Sequence, residues 1–262
     1  MLAMAPSLAS ATWSVIALDR ATGRMVVSSA TCVAQGALRG FPATGLMDVQ
    51  AIIAPGFGVA AAQAGVDRTR TNQSLIHAEL RKGTHPSEIL AQLMTDPGIQ
   101  SRQFGIIDLQ GRVAGFSGAR NLAAALSVQG QVPGTEIFYA IQGNIVAANE
   151  VVQSAVRAFE GAPGELEDRV MAAMEAADAA GGDRRCTCTT PPVPETVNAC
   201  TERTAHVAYI AIADKTSTDG ASYNDGAYVK VIDVHDENIT REENANPVKT
   251  LRMRYDAWKA GR

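Results

Sequence analysis

The sequence predicts an α+β fold in which two antiparallel sheets pack together between helix pairs, a four-layer αββα sandwich. Three observations carry this prediction. Helical segments come in pairs between groups of strands, whereas a parallel βαβ repeat would alternate them one by one. Strands return on themselves through short turns rich in Gly and Asp. The stretch "GFGVAAAQAG" (56–65) is strand-like yet built largely from alanine, which implies that another layer lies close over it.

The first element is a hairpin. Residues 13–18 are apolar and β-branched, "DRATGR" supplies Asp, Thr and Gly for a turn, and 25–32 return as a strand ending in small residues. Ser28 and Ser29 must face opposite sides of that second strand, so only one of them can point toward Thr12; Ser28 is taken as the candidate. An irregular Gly-rich stretch leads to the alanine strand, and two helices follow. "RTRTNQSLIHAELRKG" (68–83) places Leu75, Ile76 and Leu80 on one face and stops at Gly83, and "HPSEILAQLMTD" (85–96) opens with a proline and ends before Pro97 and Gly98.

"RQFGIIDLQGRVAGFSG" (102–118) is a second hairpin turning at "LQGR", and a further strand runs through 136–146. Amphipathic helices over 149–160 and 164–179 lead to a Gly pair that ends the second of them. Strands at 206–214 and 226–234 and a helix at 246–258, with a proline at its start, close the chain. No linker or repeat divides it. Residues 12–262 read as one domain, with "CTCTTPPVPETVNACTER" (186–203) as a Cys/Pro-rich surface insertion.

Composition is that of a globular chain able to bury a core: 262 residues, 46% apolar and 19% charged. A formal charge of -4 without a basic stripe argues against nucleic-acid binding. No apolar run approaches the roughly 18 to 20 residues of a membrane span. The opening "MLAMAPSLASA" (1–11) is apolar and ends in the small-x-small pattern that signal peptidase cuts, but no basic residue precedes Arg20. It reads either as the tail of a signal or as an N-terminal extension. Export to the periplasm or outside the cell suits the four cysteines. In an oxidising compartment Cys186 or Cys188 can pair with Cys200, closing a loop of about 13 to 15 residues. Free thiols in a loop are the alternative, and Cys32 lies far away in sequence. Cys-x-Cys has only His206 nearby and no second Cys pair, so no metal or other cofactor is expected. His77, His85, His206 and His235 form no metal-like pairing, and no Gly-x-Ser-x-Gly elbow supports a serine triad.

Cleavage after Ala11 would place a free α-amine beside the hydroxyl of Thr12, a nucleophile with a built-in base. A threonine hydroxyl is too weak an acid to attack an amide unaided. An α-amine with a pKa of about 7.7 to 8.0 is neutral in roughly one molecule in seven at pH 7 and can take the hydroxyl proton through a water. A strand that starts at Thr12 would hold such a terminus rigidly. Otherwise Thr12 is simply the first residue of a strand.

"TWSVIALDRATGRMVVSSAT", "GFGVAAAQAG", "RQFGIIDLQGRVAGFSG", "IQGNIV" and "AAGGDRR" occur in the order and spacing of an uncharacterised bacterial and archaeal family, domain of unknown function 1028. Its members are predicted secreted proteins of the N-terminal-nucleophile (Ntn) hydrolase superfamily. The chain resembles this family from Thr12 to about Arg185 and again at "NPVKTLRMRY". The resemblance implies an Ntn-hydrolase-like αββα sandwich. Family members typically begin Thr-Phe-Ser-Ile-Val-Ala, so Thr12 of "TWSVIA" matches the leading threonine. Hydrolysis is implied by superfamily kinship alone. Two departures stand out: "AGVDRTRTNQ" replaces an Asn-Pro-containing stretch after Gln63, and the Cys-rich insertion is absent from typical members.

The expected site follows. Thr12 is the nucleophile, and Asn144 with a backbone N–H at Gly143 faces the developing oxyanion. Gln63, at the end of the alanine strand, and Ser28 line the substrate. Asp183, Arg184 and Arg185, just past the Gly pair, suit the orientation of a substrate carboxylate by a guanidinium fork. The expected partner is a small-molecule or peptide substrate with an amide bond, and a homo-oligomer is compatible with this. The rival is a non-catalytic ligand-binding or scaffold protein whose terminus stays blocked.

Overall fold

A computed structural model describes residues 12–122 and 124–262. The leader, 1–11, lies outside the described residues. These form a mixed α+β structure with two antiparallel sheets and seven helices. The predicted first hairpin is β1 (Thr12–Asp19) and β2 (Arg24–Thr31). Asp19 closes its turn by accepting from the Ala21 N–H and the Thr22 hydroxyl, and Gly23 takes a left-handed φ of 77°.

One sheet also contains β7 (Leu126–Gln131), β8 (Ile137–Asn144), β9 (Val207–Ala213) and β10 (Lys230–His235), in the order β10-β9-β2-β1-β8-β7. The other is a meander of β3 (Ala51–Ala54), β4 (Gly58–Ala64), β5 (Arg102–Asp108) and β6 (Val113–Ser117). The helices are α1 (Gln35–Leu38), α2 (Leu46–Gln50), α3 (Thr71–Lys82), α4 (Pro86–Leu93), α5 (Glu150–Gly161), α6 (Leu166–Ala179) and α7 (Pro247–Ala260).

The two-residue period of the strands sorts their side chains into three apolar clusters. Val15 and Ala17 of β1, with Val26 and Ala30 of β2, meet Val152, Phe159, Val170 and Met174 of α5 and α6. Their neighbours Ile16, Leu18, Met25 and Val27 point the other way, toward Val59, Ala61 and Ile107 of the second sheet. Ile52, Ala60, Phe104 and Ile106, on the far face of that sheet, pack on Ile76, Leu80, Ile89 and Leu93 of α3 and α4. Small residues set the separation of the sheets. A Cβ at Gly105 would lie 3.1 Å from the Ala140 side chain and 3.2 Å from that of Ile16.

Predicted helix signals act where expected. α3 stops at Gly83 with φ 76°, and α4 and α7 have Pro86 and Pro247 in their first turns; a signal not anticipated is Asn246, which caps α7 by accepting from the Val248 N–H. The Asn246 amide also donates to Asp178 of α6, tying the last helix to the sheet-covering pair. Four elements were not anticipated. β3 has only four residues, α1 and α2 have four and five, and β7 is a half-buried edge strand without alternation.

The cysteines form two disulfides, Cys188–Cys200 within the insertion and Cys32–Cys186 between the end of β2 and its start. Among the described residues no helix is long and apolar enough to cross a membrane. The separations of 154 and 12 residues predict unequal effects. Cys32→Ser with Cys186→Ser should lower unfolding free energy by about 4–5 kcal/mol, and Cys188→Ser with Cys200→Ser by about 3 kcal/mol. Urea unfolding without reductant checks both the sizes and their order.

Candidate functional site

Thr12 opens β1 at the centre of the six-stranded sheet, in register with Thr31 of β2 on one side and Asn144 of β8 on the other. All three are buried and share the face turned toward the second sheet. The Thr12 hydroxyl donates to that of Thr31 at 3.2 Å. Facing them across the interior are Gln63 of β4 and Gln103 of β5, themselves in register. Gln63 Nε2 lies 3.2 Å from the Thr12 carbonyl, 3.3 Å from Asn144 Oδ1 and 2.6 Å from Gln103 Oε1.

The row extends on both sides. Gln50 of α2 donates to Gln63 Oε1 at 2.7 Å and accepts from the Tyr209 hydroxyl at 3.1 Å. Gln103 Nε2 reaches Ser117 Oγ at 3.1 Å and the Gly143 carbonyl at 3.0 Å. Buried polar groups are costly unless they satisfy one another, and here a chain of amides does so. The Gln63 NH₂ has two hydrogens for three acceptors, so its bonding is shared among them. The residues that follow the two site amides, Ala64 at φ 71° and Ile145 at φ 56°, are left-handed without being glycine. For a β-branched isoleucine this is strained backbone, which persists only where its surroundings enforce it.

A pocket opens on Thr12 and Thr31. Its walls include Gln63, Gln50 and Gln73, the apolar side chains Leu46, Val49 and Phe104, and a charged end at Asp67 and Arg102. Arg102 Nε donates to Asp96 at 2.8 Å, and its Nη1 donates to the Gly65 carbonyl at 2.6 Å. Burial pushes the Asp67 carboxyl up, but hydrogen bonds from Asn72 and Thr69 and the Arg102 charge outweigh it, holding Asp67 below its ordinary value and ionised.

The structure thus brings Thr12, Asn144 and Gln63 together. Gly143 lies one residue further in, within the ladder between Trp13 and Leu126, and a Cβ there would press on Val146 and Val152. Ser28 is not at the site. It sits on the face of β2 opposite Thr31 and donates to the Tyr209 carbonyl at 2.6 Å, because an odd separation from Thr31 inverts the side chain. Asp183 is fully buried and accepts from the backbone N–H of Cys32 at 2.9 Å and of Arg185 at 3.1 Å. The Arg185 fork, expected to meet a substrate carboxylate, grips Asp183 through Nε and Nη2. Arg185 lines a separate hollow with Phe41 and Arg68 that shares Val33 with the Thr12 pocket, and Arg184 is exposed.

Thr31, Gln103, Gln50 and Gln73 were missed. The symmetric pairing of the first hairpin places Thr31 opposite Thr12, a signal available once the turn is assigned. Gln63 and Gln103 are polar interruptions of apolar strands, but their facing one another depends on how the sheets stack.

Sγ of Cys32, Sγ of Cys186 and a ring nitrogen of His206 lie within 4.8 Å of one another. The two sulfurs are bonded to each other, so they offer no thiolates. His206 is buried, its Nδ1 accepts from Arg203, and its backbone N–H donates to the Thr31 carbonyl at 2.8 Å. Burial, with the Arg203 and Arg185 charges, pushes its pKa down to about 4.

The family model that matches this chain covers residues 12–190 and is described as a family of unknown function, DUF1028. The chain belongs to this family. The match begins on Thr12. A similar solved structure is the crystal structure of protein SPO2555 from Silicibacter pomeroyi, with the same family name in its description. It is 20% identical, with a TM-score of 0.66 over 95% of this chain and 86% of that one, which establishes likeness of fold. The comparison with curated proteins finds no match.

Neutral, buried His206 makes stability pH-dependent. The unfolded chain takes up a proton near pH 6.5 that the folded chain refuses until about pH 4. The contribution is therefore present at pH 7 and is lost as pH falls through that window, by up to about 3 kcal/mol. Urea unfolding at pH 7 and pH 4.5 should show a smaller pH dependence for His206→Gln than for the parent chain.

Proposed function

We propose that this DUF1028 protein is an Ntn-type amidohydrolase that uses Thr12, freed by removal of the leader, to cleave an amide bond in a small acyl amide or short peptide. The observation that carries the reading is the position of Thr12: first residue of a central strand, on the wall of a pocket, flanked in register by Thr31 and Asn144 and faced by a row of amides. Apolar clusters on both faces of each sheet support reading the fold as the four-layer Ntn-hydrolase-like sandwich. Two disulfides are compatible with a secreted or periplasmic setting.

In this reading the α-amine of Thr12 accepts the Oγ proton through a water while Oγ bonds to the substrate carbonyl carbon. Thr31 orients the hydroxyl. The Asn144 amide stabilises the oxyanion, and the proton held by the amine passes to the departing nitrogen as the C–N bond breaks. Water then hydrolyses the ester on Oγ and regenerates the enzyme.

Intact mass and N-terminal sequencing of protein from its native host should give a chain that begins at Thr12. That protein should hydrolyse members of a panel of acyl amides and short peptides. Thr12→Ala should abolish turnover, and Asn144→Ala should lower kcat by about 100- to 1000-fold. A mature chain that retains Ala11, or turnover unaffected by Thr12→Ala, would overturn the proposal in favour of a binding protein with a blocked terminus.

A further inference from the structure

We propose that Gln73 makes the pocket beside Thr12 selective for ligands whose aliphatic chain carries an uncharged hydrogen-bond donor, a hydroxyl or a carboxamide N–H. Gln73 lies in the first turn of α3, is 2% exposed and lines the pocket. Its Nε2 donates to the Val49 carbonyl at 2.8 Å. A carbonyl can only accept, so this bond fixes which way the amide points. Oε1 is then left buried with no hydrogen-bond partner among the described residues. A buried acceptor without a donor is costly and marks a place where a ligand's donor has most to gain.

Three neighbouring side chains have their acceptors engaged within the protein. Gln50 Oε1 accepts from Tyr209 and Gln63 Oε1 from Gln50. Both Asp67 oxygens accept, one from Thr69 and the other from Asn72. Leu38, Leu46, Val49, Val66 and Phe104 make much of the pocket lining aliphatic or aromatic. They suit a hydrocarbon chain. The charges present, Asp67 and Arg102, are of opposite sign and share the same end. An ammonium or carboxylate would lose its hydration and meet one unfavourable charge, and a carboxylate would also face the Gln73 oxygen without a proton to offer. An uncharged donor avoids both costs.

The choice of carboxamide probes rests on the amidohydrolase reading, but the test reads binding and not turnover. Four probes that share one carboxamide and differ only at the far end of the chain are titrated by calorimetry into native-host protein and into its Thr12→Ala form: butyramide, 4-hydroxybutyramide, succinamide and succinamic acid. The hydroxyl and second-amide probes should bind about fivefold or more tightly than butyramide, with succinamic acid weakest. Gln73→Met, which keeps the length and removes the acceptor, should erase the difference between those two probes and butyramide. Equal affinity for all four probes, binding of none, or a preference that survives Gln73→Met would overturn the proposal. The wild-type series stands even if the variant folds poorly. Selective binding without hydrolysis would leave this assignment standing and remove the nucleophile reading, whereas hydrolysis without selectivity would do the reverse.

Discussion

β1 is paired along all eight of its residues with a strand on either side, and much else depends on that double pairing. With both backbone edges committed, the only freedom left is which face each side chain takes. A slip of one residue would turn Trp13 toward the second sheet and Thr12 toward the helices, exchanging two whole sets of contacts. The pairing also fixes the neighbours of Thr12, since Thr31 and Asn144 are on the interior face for the same reason as Thr12.

That interior face changes character along its length. Ile16 and Leu18 meet the second sheet through apolar contact, whereas at the Thr12 end the facing residues are amides. Burying Gln50, Gln63 and Gln103 together is tolerable because each offers what the next requires, and the result is a polar patch shielded from solvent. Hydrogen bonds are stronger in such surroundings, and unpaired groups are more costly. Shared protons at Gln63 and strained backbone at Ala64 and Ile145 concentrate at this one end of the sandwich. Strain gathered beside a pocket is a pattern associated with function more than with stability.

The segment after α6 closes this end from the other side. Gly182 is left-handed, and a Cβ there would lie 2.8 Å from Trp13 and 2.7 Å from Thr204. Lacking one, the chain passes over Trp13 and delivers Asp183 to the Cys32 backbone. The Cys32–Cys186 disulfide adds a covalent tie at the same strand end. What reads in sequence as a substrate-facing charged cluster is, for Asp183 and Arg185, a clamp on the residue next to Thr31.

By itself the sequence determined the hairpins and the paired helices with their stops and opening prolines, allowed one Cys-x-Cys cysteine to pair with Cys200, and marked Thr12, Asn144 and Gln63 as a group worth testing. These rest on local signals: side-chain period, turn residues, and polar interruptions at strand ends. Tertiary structure alone decided the partner of Cys32, the turning away of Ser28, the use of Arg185 by Asp183, and the meeting of Gln63, Gln103 and Gln50. It also decided the short elements β3, α1 and α2, which have too few residues to show a period. The physical reason is common to all of these. A strand's pattern says that its side chains alternate, but which face meets which layer depends on the stacking of sheets whose strands lie far apart in the chain.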